Sequence, residues 1–259
     1  RLVTIAILPM MSCAGRLPIY MMFVSALFPS HLQATVLFGI YAAGILLALL
    51  CARLLKNTFF KTVQRDSPHR LKKLRIPSLR KVGLLMWSRA FMYVRKAGTF
   101  ILGASIILWF LNTYPRPEEG TVENAAAAME HSYAGQIGHW MEPVTRVAGF
   151  DWKVNSALLG AFAAKEIFVT QMGILYAVQD GDSGAEAQQT LNARLKASYT
   201  PLQGISIMIF CLIALPCIGT VTVAKREAGT WWFALAQFTG LTLMGFVAAT
   251  VVYQAGLLM

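Results

Sequence analysis

Apolar residues run along this chain in blocks long enough to cross a bilayer, and the places where the blocks break carry as much information as the blocks. A hydrocarbon core about 30 Å thick takes about 20 residues of α-helix. Residues 32–52 supply that length without one charged side chain, and residues 231–253 do the same. Gly39, Ala43 and Gly44 in the first, and Gly240 and Gly245 in the second, offer small faces for close helix packing. Four other blocks are less regular. Residues 3–28 hold Pro9 and Pro18 with Arg16 between them, and 97–111 is short for a crossing. Residues 154–178 carry Lys165 and Glu166 near the middle, and 202–223 is interrupted at Pro216 and Gly219. The pattern predicts an all-α fold, a polytopic transmembrane helical bundle with proline-broken helices. Six full crossings put both ends in the cytosol; 154–178 and 202–223 are the two blocks open to a re-entrant reading.

The polar stretches fill in the rest. After Pro77, Ser78 is placed to cap a helix on which Leu84, Trp87, Phe91 and Val94 recur at helical spacing among Arg80, Lys81 and Arg89. That mixture predicts an interfacial amphipathic helix leading into the 97–111 span, with Arg95 and Lys96 snorkelling to make up its missing turn. Residues 112–153 read as a polar loop with a short helix from Ala134 to Val147, and 179–198 as a soluble linker.

Charge orients the bundle. Residues 53–96 hold thirteen Lys and Arg against the single acid Asp66, whereas 113–153 hold three basic residues and six acids. By the positive-inside rule the basic loop is cytosolic and the acidic loop periplasmic. The net charge of +11 is therefore directed at anionic lipid headgroups and not at nucleic acid. With 56% hydrophobic and only 14% charged residues, against roughly 25% charged in a soluble domain, the chain has too little polar surface to cover itself in water. In the six-crossing arrangement Lys225 and Arg226 fall outside, against the same rule. The chain begins at Arg1 without a signal peptide and reads as the interior of a longer protein.

Chemistry is confined to the breaks. Cys13 follows Pro9 and precedes Pro18, and Cys217 directly follows Pro216 with Gly219 two residues on. A broken helix frees backbone carbonyls at membrane depth, and a thiolate beside them suits a borderline-soft divalent metal; the plainer reading is a cysteine buried as a small hydrophobe. Arg16, three residues after Cys13, either favours its thiolate or pairs with Glu166 as a gate. Glu166 is an ionisable group within an apolar block, where it lines a cavity or pairs internally, and Thr170 shares its helical face. The alternative is a Lys165–Glu166 pair snorkelling at an interface, although neighbours in sequence do not face each other on a helix. The candidate metal contacts are Cys13, Cys217 and Glu166, and the gating or pore-lining candidates are Pro9, Arg16, Pro18, Thr170, Pro216 and Gly219. Cys51, Cys211 and the methionines read as packing. No Walker A loop, dinucleotide fingerprint or H-x-x-x-H pair is present, so the residues predict no enzyme and no bound cofactor.

The run Met11-Ser12-Cys13-Ala14-Gly15-Arg16-Leu17-Pro18-Ile19-Tyr20 resembles the membrane domain of the bacterial ferrous iron transport protein B family. So do Lys96-Ala97-Gly98-Thr99, Gly160 to Glu166, Pro216-Cys217 and Arg226-Glu227. The resemblance implies a Gate-type permease carrying Fe(II) across the bacterial inner membrane, with the cysteines matching Cys13 and Cys217 facing the path. It also implies an amino-terminal GTP-binding domain and a first gate segment outside these residues, so that GTP is a ligand of that domain alone. Small accessory iron-transport proteins and a homo-oligomer are the further partners it brings. An organic-solute permease, similar to nucleoside carriers, and a membrane anchor without transport are the competing functions.

Overall fold

The computed structural model describes residues 7–10, 13–58, 78–115, 125–176, 184–214 and 216–258. Among them every regular element is helical. Two 3₁₀ turns, Leu8–Met10 and Ala14–Arg16, lead into α1 (Leu17–Leu27), followed by α2 (Ser30–Thr58) and α3 (Leu79–Thr113). The short α4 (Ala125–His131) and α5 (Tyr133–Thr145) precede a 3₁₀ turn at Arg146–Ala148. Then come α6 (Trp152–Ala163), α7 (Lys165–Leu175), α8 (Gly184–Ser198), α9 (Pro201–Ile213), α10 (Ile218–Ala228) and α11 (Trp231–Leu257).

Local chemistry explains most of these boundaries. Thr200 and Gln203 form a reciprocal capping box, with Pro201 at the first turn where its missing N–H costs nothing. The Asp151 carboxylate accepts from the Val154 N–H at 2.9 Å and starts α6. Ser132 caps α5 by accepting from the Gly135 N–H, and Gly229, at φ 77°, ends α10 in the left-handed conformation.

Three breaks divide the apolar blocks. The first is described at Cys13, just ahead of the Ala14–Arg16 turn, and the third at the extended backbones of Ala214 and Cys217. The second falls at Ala164, whose extended backbone (φ −150°, ψ 133°) separates α6 from α7. The continuous crossing expected for 154–178 is therefore two helices, and they fold back on each other. Lys153 at the start of α6 places its Nζ 4.4 Å from the centre of the Tyr176 ring at the end of α7. The Gln171 amide, in the orientation that satisfies both its groups, donates to the carbonyls of Ser156 and Ala157 and accepts from the Asn112 amide at 2.9 Å. This ties the hairpin together and to α3.

The α9–α10 pair, by contrast, runs the length of α11 in the opposite direction. Leu202 packs on Gly256, Ser206 Oγ donates to the Ala249 carbonyl at 3.2 Å, and Ala214 packs on Gly245. One end of the bundle thus gathers Val147, whose carbonyl accepts from Gln254 Nε2 at 2.8 Å, together with Asp151, Tyr176 and Tyr199. At the other end Lys225 stacks over the Trp231 ring, 3.9 Å from its centre.

Two further expectations are corrected. The amphipathic helix and the 97–111 span are one uninterrupted helix, α3, roughly 52 Å long at 1.5 Å per residue. Arg95 and Lys96 lower the hydropathy there, but charges do not interrupt a backbone ladder and no proline lies between 78 and 114. The linker expected at 179–198 is helical over its described part, where Leu191 and Leu195, one turn apart, are buried. The rest of the basic loop, 59–77, and residues 116–124 lie outside the described residues.

Three stretches among the described residues are long and apolar enough to cross a membrane: Ser30–Leu54, Pro201–Ala228 and Trp231–Leu257. Phe38, Leu46 and Leu49 on α2 and Leu243, Val247 and Val251 on α11 stand exposed. Protein core does not cover these faces, as expected where lipid does. The buried core is made by α1 and the inner faces of α6, α7 and α9, with Tyr20, Phe23, Phe168, Met172, Ile207 and Met208 fully enclosed.

Candidate functional site

The first break is closed by an arginine. Arg16, only 1% exposed, donates from Nη1 to the Met10 carbonyl at 3.1 Å and from Nη2 to the Pro9 carbonyl at 2.6 Å, while its own N–H donates to Cys13 O at 3.1 Å. A carbonyl stripped of its helical partner at membrane depth costs several kcal/mol, and a charged donor recovers about 1.5–3 kcal/mol per bond. Arg16 thus stabilises the irregular backbone that presents Cys13. The Cys13 thiol is exposed and Pro18 sits exposed on the first turn of α1.

The second break aims two neighbours in different directions. Ala164 is extended, so Lys165 turns inward and is 6% exposed, whereas Glu166 turns outward and is exposed. Lys165 Nζ donates to the Cys211 carbonyl at 3.3 Å, on the last turn of α9. A helix C-terminus, with its outward carbonyls, is where a cation is favoured. Glu166 meets the first break through Gly15: a Cβ on Gly15 would stand 2.9 Å from its Oε1.

The third break supplies Cys217, half-buried at the start of α10, with Sγ 3.2 Å from Thr220 Oγ1. Pro216 is buried beside it, and a Cβ on Gly219 would stand 4.0 Å from the Cys217 sulfur.

These parts form one cluster. The Lys165 Cβ would stand 3.7 Å from a Cβ on Gly15, so the lysine and Glu166 both lie against the first break. Tyr20 is fully buried, and among the described residues its hydroxyl has no hydrogen-bond partner. The first and second breaks therefore meet at Gly15 and Glu166, and the second reaches the last turn of α9 through Lys165. Thr170 is exposed one turn beyond Glu166, and Pro9 takes part through its carbonyl. Sequence reasoning missed Lys165 and Cys211 as members. A lysine beside a glutamate reads as an interfacial pair, and Cys211 contributes its backbone oxygen, on which no side-chain pattern reports. Among the described residues no three His, Cys, Asp or Glu side chains stand close enough to enclose a metal ion.

A separate polar group caps the hairpin at its open end. The Tyr199 hydroxyl lies 3.0 and 2.9 Å from the two oxygens of Asp151. Burial pushes the Asp151 carboxyl above the ordinary aspartate range, and the Val154 N–H, the Tyr199 hydroxyl and Lys153 only partly offset it. The same burial, with the Asp151 charge beside it, drives Tyr199 far above the phenol range.

Comparison with known proteins bears on this architecture directly. The profile described as Gate, nucleoside recognition, matches residues 94–231, more than half of the chain, and that of the ferrous iron transport protein B C terminus matches residues 37–89. The chain belongs to the ferrous iron transport protein B family. An Fe(2+) transport protein A/Fe(2+) transporter FeoB fusion protein from Porphyromonas gingivalis is 35% identical over 100% of this chain and 35% of its own length. The Fe(2+) transporter FeoB of Campylobacter jejuni is 33% identical over 97% of this chain and 41% of its own. That of Staphylococcus aureus is 34% identical over 99% and 36%. The chain thus spans between a third and about two fifths of these relatives and carries a membrane part of the family. No solved structure matches it. Within the Gate match lie the second and third breaks, with Lys165, Glu166, Cys211 and Cys217; the first break precedes it.

Proposed function

We propose that this chain forms the ion pathway of a bacterial inner-membrane ferrous-iron transporter, with Cys13, Cys217 and Glu166 as the groups that meet Fe(II). The carrying observation is the meeting of three helix breaks around thiols and one carboxylate. Hydrocarbon tolerates such breaks only where protein or a wet cavity shelters them. Thiolate, carboxylate and carbonyl together suit a borderline-soft divalent ion. Fe(II) is the cargo and not a resident cofactor. GTP belongs to an amino-terminal domain of the longer protein. The Porphyromonas relative, which by its name fuses transport protein A to the transporter, supports a small accessory iron-transport protein as partner.

The membrane arrangement we infer has α2, α3, α9–α10 and α11 crossing the bilayer, with α6–α7 as a re-entrant hairpin whose tip, Ala164, lies at membrane depth. Its support is the shared end of Asp151, Tyr176, Tyr199 and Gln254. The acidic 113–153 segment then faces the periplasm, and the basic 53–96 segment faces the cytosol.

The test is Fe(II) influx into liposomes carrying the full-length transporter at limiting iron. The double substitution Cys13→Ser with Cys217→Ser, and separately Glu166→Gln, lower influx by about tenfold or more, the equivalent of about 1.4 kcal/mol of lost stabilisation. Undiminished influx from well-folded variants removes these three side chains from the pathway. Uridine uptake in place of Fe(II) would favour the organic-solute reading.

A further inference from the structure

We propose that Arg16 and Lys165 are resident stand-ins for the cargo: tethered cations that hold the break carbonyls in this conformation and that a divalent ion displaces as it passes. The inference deepens the iron-pathway reading and rests on it. Two buried cations beside a cation path would be an obstacle if they were fixed, yet their bonds show what they replace. Arg16 takes the carbonyls of Pro9 and Met10, and Lys165 takes that of Cys211. These are the oxygens that helix breaks free, and they are the hard ligands a partly dehydrated metal needs besides thiolate and carboxylate.

The two tethers differ in how firmly they hold. Arg16 makes charge-assisted bonds to two carbonyls of its own break, one of them 2.6 Å long. Lys165 reaches from the hairpin tip to another helix and, among the described residues, makes one bond, at 3.3 Å. An ammonium has three donors and a flexible stem, so most of its capacity is unused there. Lys165 is thus the weaker tether and the one that yields first. Outward-facing Glu166, next in sequence, is positioned to draw the ion toward the same tip.

Competition between tether and cargo has a definite signature. In liposomes holding the full-length transporter, Lys165→Met removes the competitor and lowers the Fe(II) concentration for half-maximal influx by about tenfold (about 1.4 kcal/mol). Lys165→Arg, which keeps the charge, shifts it less. A half-saturating concentration that stays put or rises in folded Lys165→Met overturns the proposal and leaves Lys165 a packing element.

A second measurement needs no variant. On the full-length wild type, anionic and cationic methanethiosulfonates are compared for their rates of modifying Cys13 and Cys217, read by peptide mass spectrometry. Tethered cations beside these thiols make the anionic reagent faster; equal rates or the reverse order overturn the proposal, also where Lys165→Met fails to fold. Absence of Fe(II) influx in the wild type falls on the iron reading alone, because the reagent ratio still reports the tethers.

Discussion

Gly15 is where two breaks touch, and the absence of its side chain is what lets them. A Cβ there would stand 2.9 Å from Glu166 Oε1 and 3.7 Å from the Lys165 Cβ. Because the carboxylate is the free end of an exposed side chain, Gly15→Ala displaces Glu166 and leaves the fold in place. The expected outcome is a several-fold drop in Fe(II) influx at limiting iron. Its thermal midpoint stays within about 2–4 °C of wild type, the shift that 1 kcal/mol produces in a domain of this size. Midpoint and influx falling together would mean that the contact holds the fold. At this scale the sequence was legible wherever a residue broke a membrane rule: Cys13, Arg16, Glu166 and Cys217 stood out as thiols or charges in apolar blocks. Lys165 was not legible, because its inward turn depends on the extended backbone of Ala164. An alanine announces no such bend.

Helix breaks marked by proline could be read from the chain; the one at Ala164 could not. Pro9, Pro18 and Pro216 remove donors and signal interruption, while the α6–α7 hairpin is set by contacts from far away, with Gln171 reaching Ser156, Ala157 and Asn112. The continuity of α3 was hidden for the opposite reason, since Arg95 and Lys96 change hydropathy without touching the ladder. The open end of the hairpin gives the testable consequence. Asp151 caps α6 through Val154 N–H and accepts from Tyr199, yet burial raises its carboxyl pKa in the folded state. The folded protein therefore holds this proton more tightly than the unfolded chain does. The associated stability is greatest at low pH and is lost as pH rises through the interval between the unfolded and the raised folded value. Asn caps as well as Asp and accepts from Tyr199 through its carbonyl oxygen. Asp151→Asn is therefore expected to match or exceed wild-type stability at pH 7, by on the order of 2–4 °C in thermal midpoint. It also flattens the acid-side pH dependence, measured by thermal unfolding in detergent. A steep fall in midpoint at pH 7 would show that the ionised carboxylate, and not the cap, holds this end.

Across the whole molecule, the hairpin changes where every later residue lies. If 154–178 crossed the membrane, Lys225 and Arg226 would emerge on the acidic side, and the chain after Gln254 would lie with the basic loop. In the arrangement we propose, α6 and α7 return to the end they left, and α9–α10 crosses instead from the acidic end toward the basic one. Lys225 and Arg226 then join the thirteen basic residues of 53–96, as the positive-inside rule asks. The same arrangement carries the end of α11 to the acidic side, where Gln254 Nε2 bonds the Val147 carbonyl at 2.8 Å. Three exposed positions separate the alternatives: Ser88 on α3, Trp140 on α5 and Leu257 at the end of α11. Each is replaced by cysteine in the full-length protein and treated with a membrane-impermeant maleimide in right-side-out vesicles, against wild-type background labelling. Trp140→Cys and Leu257→Cys are expected to label at once, and Ser88→Cys only after the vesicles are opened. Leu257 decides between the two arrangements, because six crossings would shelter it with Ser88. Labelling of Leu257→Cys from the inside alone would return the hairpin to a full span and take the midplane tip, with its lysine and glutamate, away from the proposed pathway.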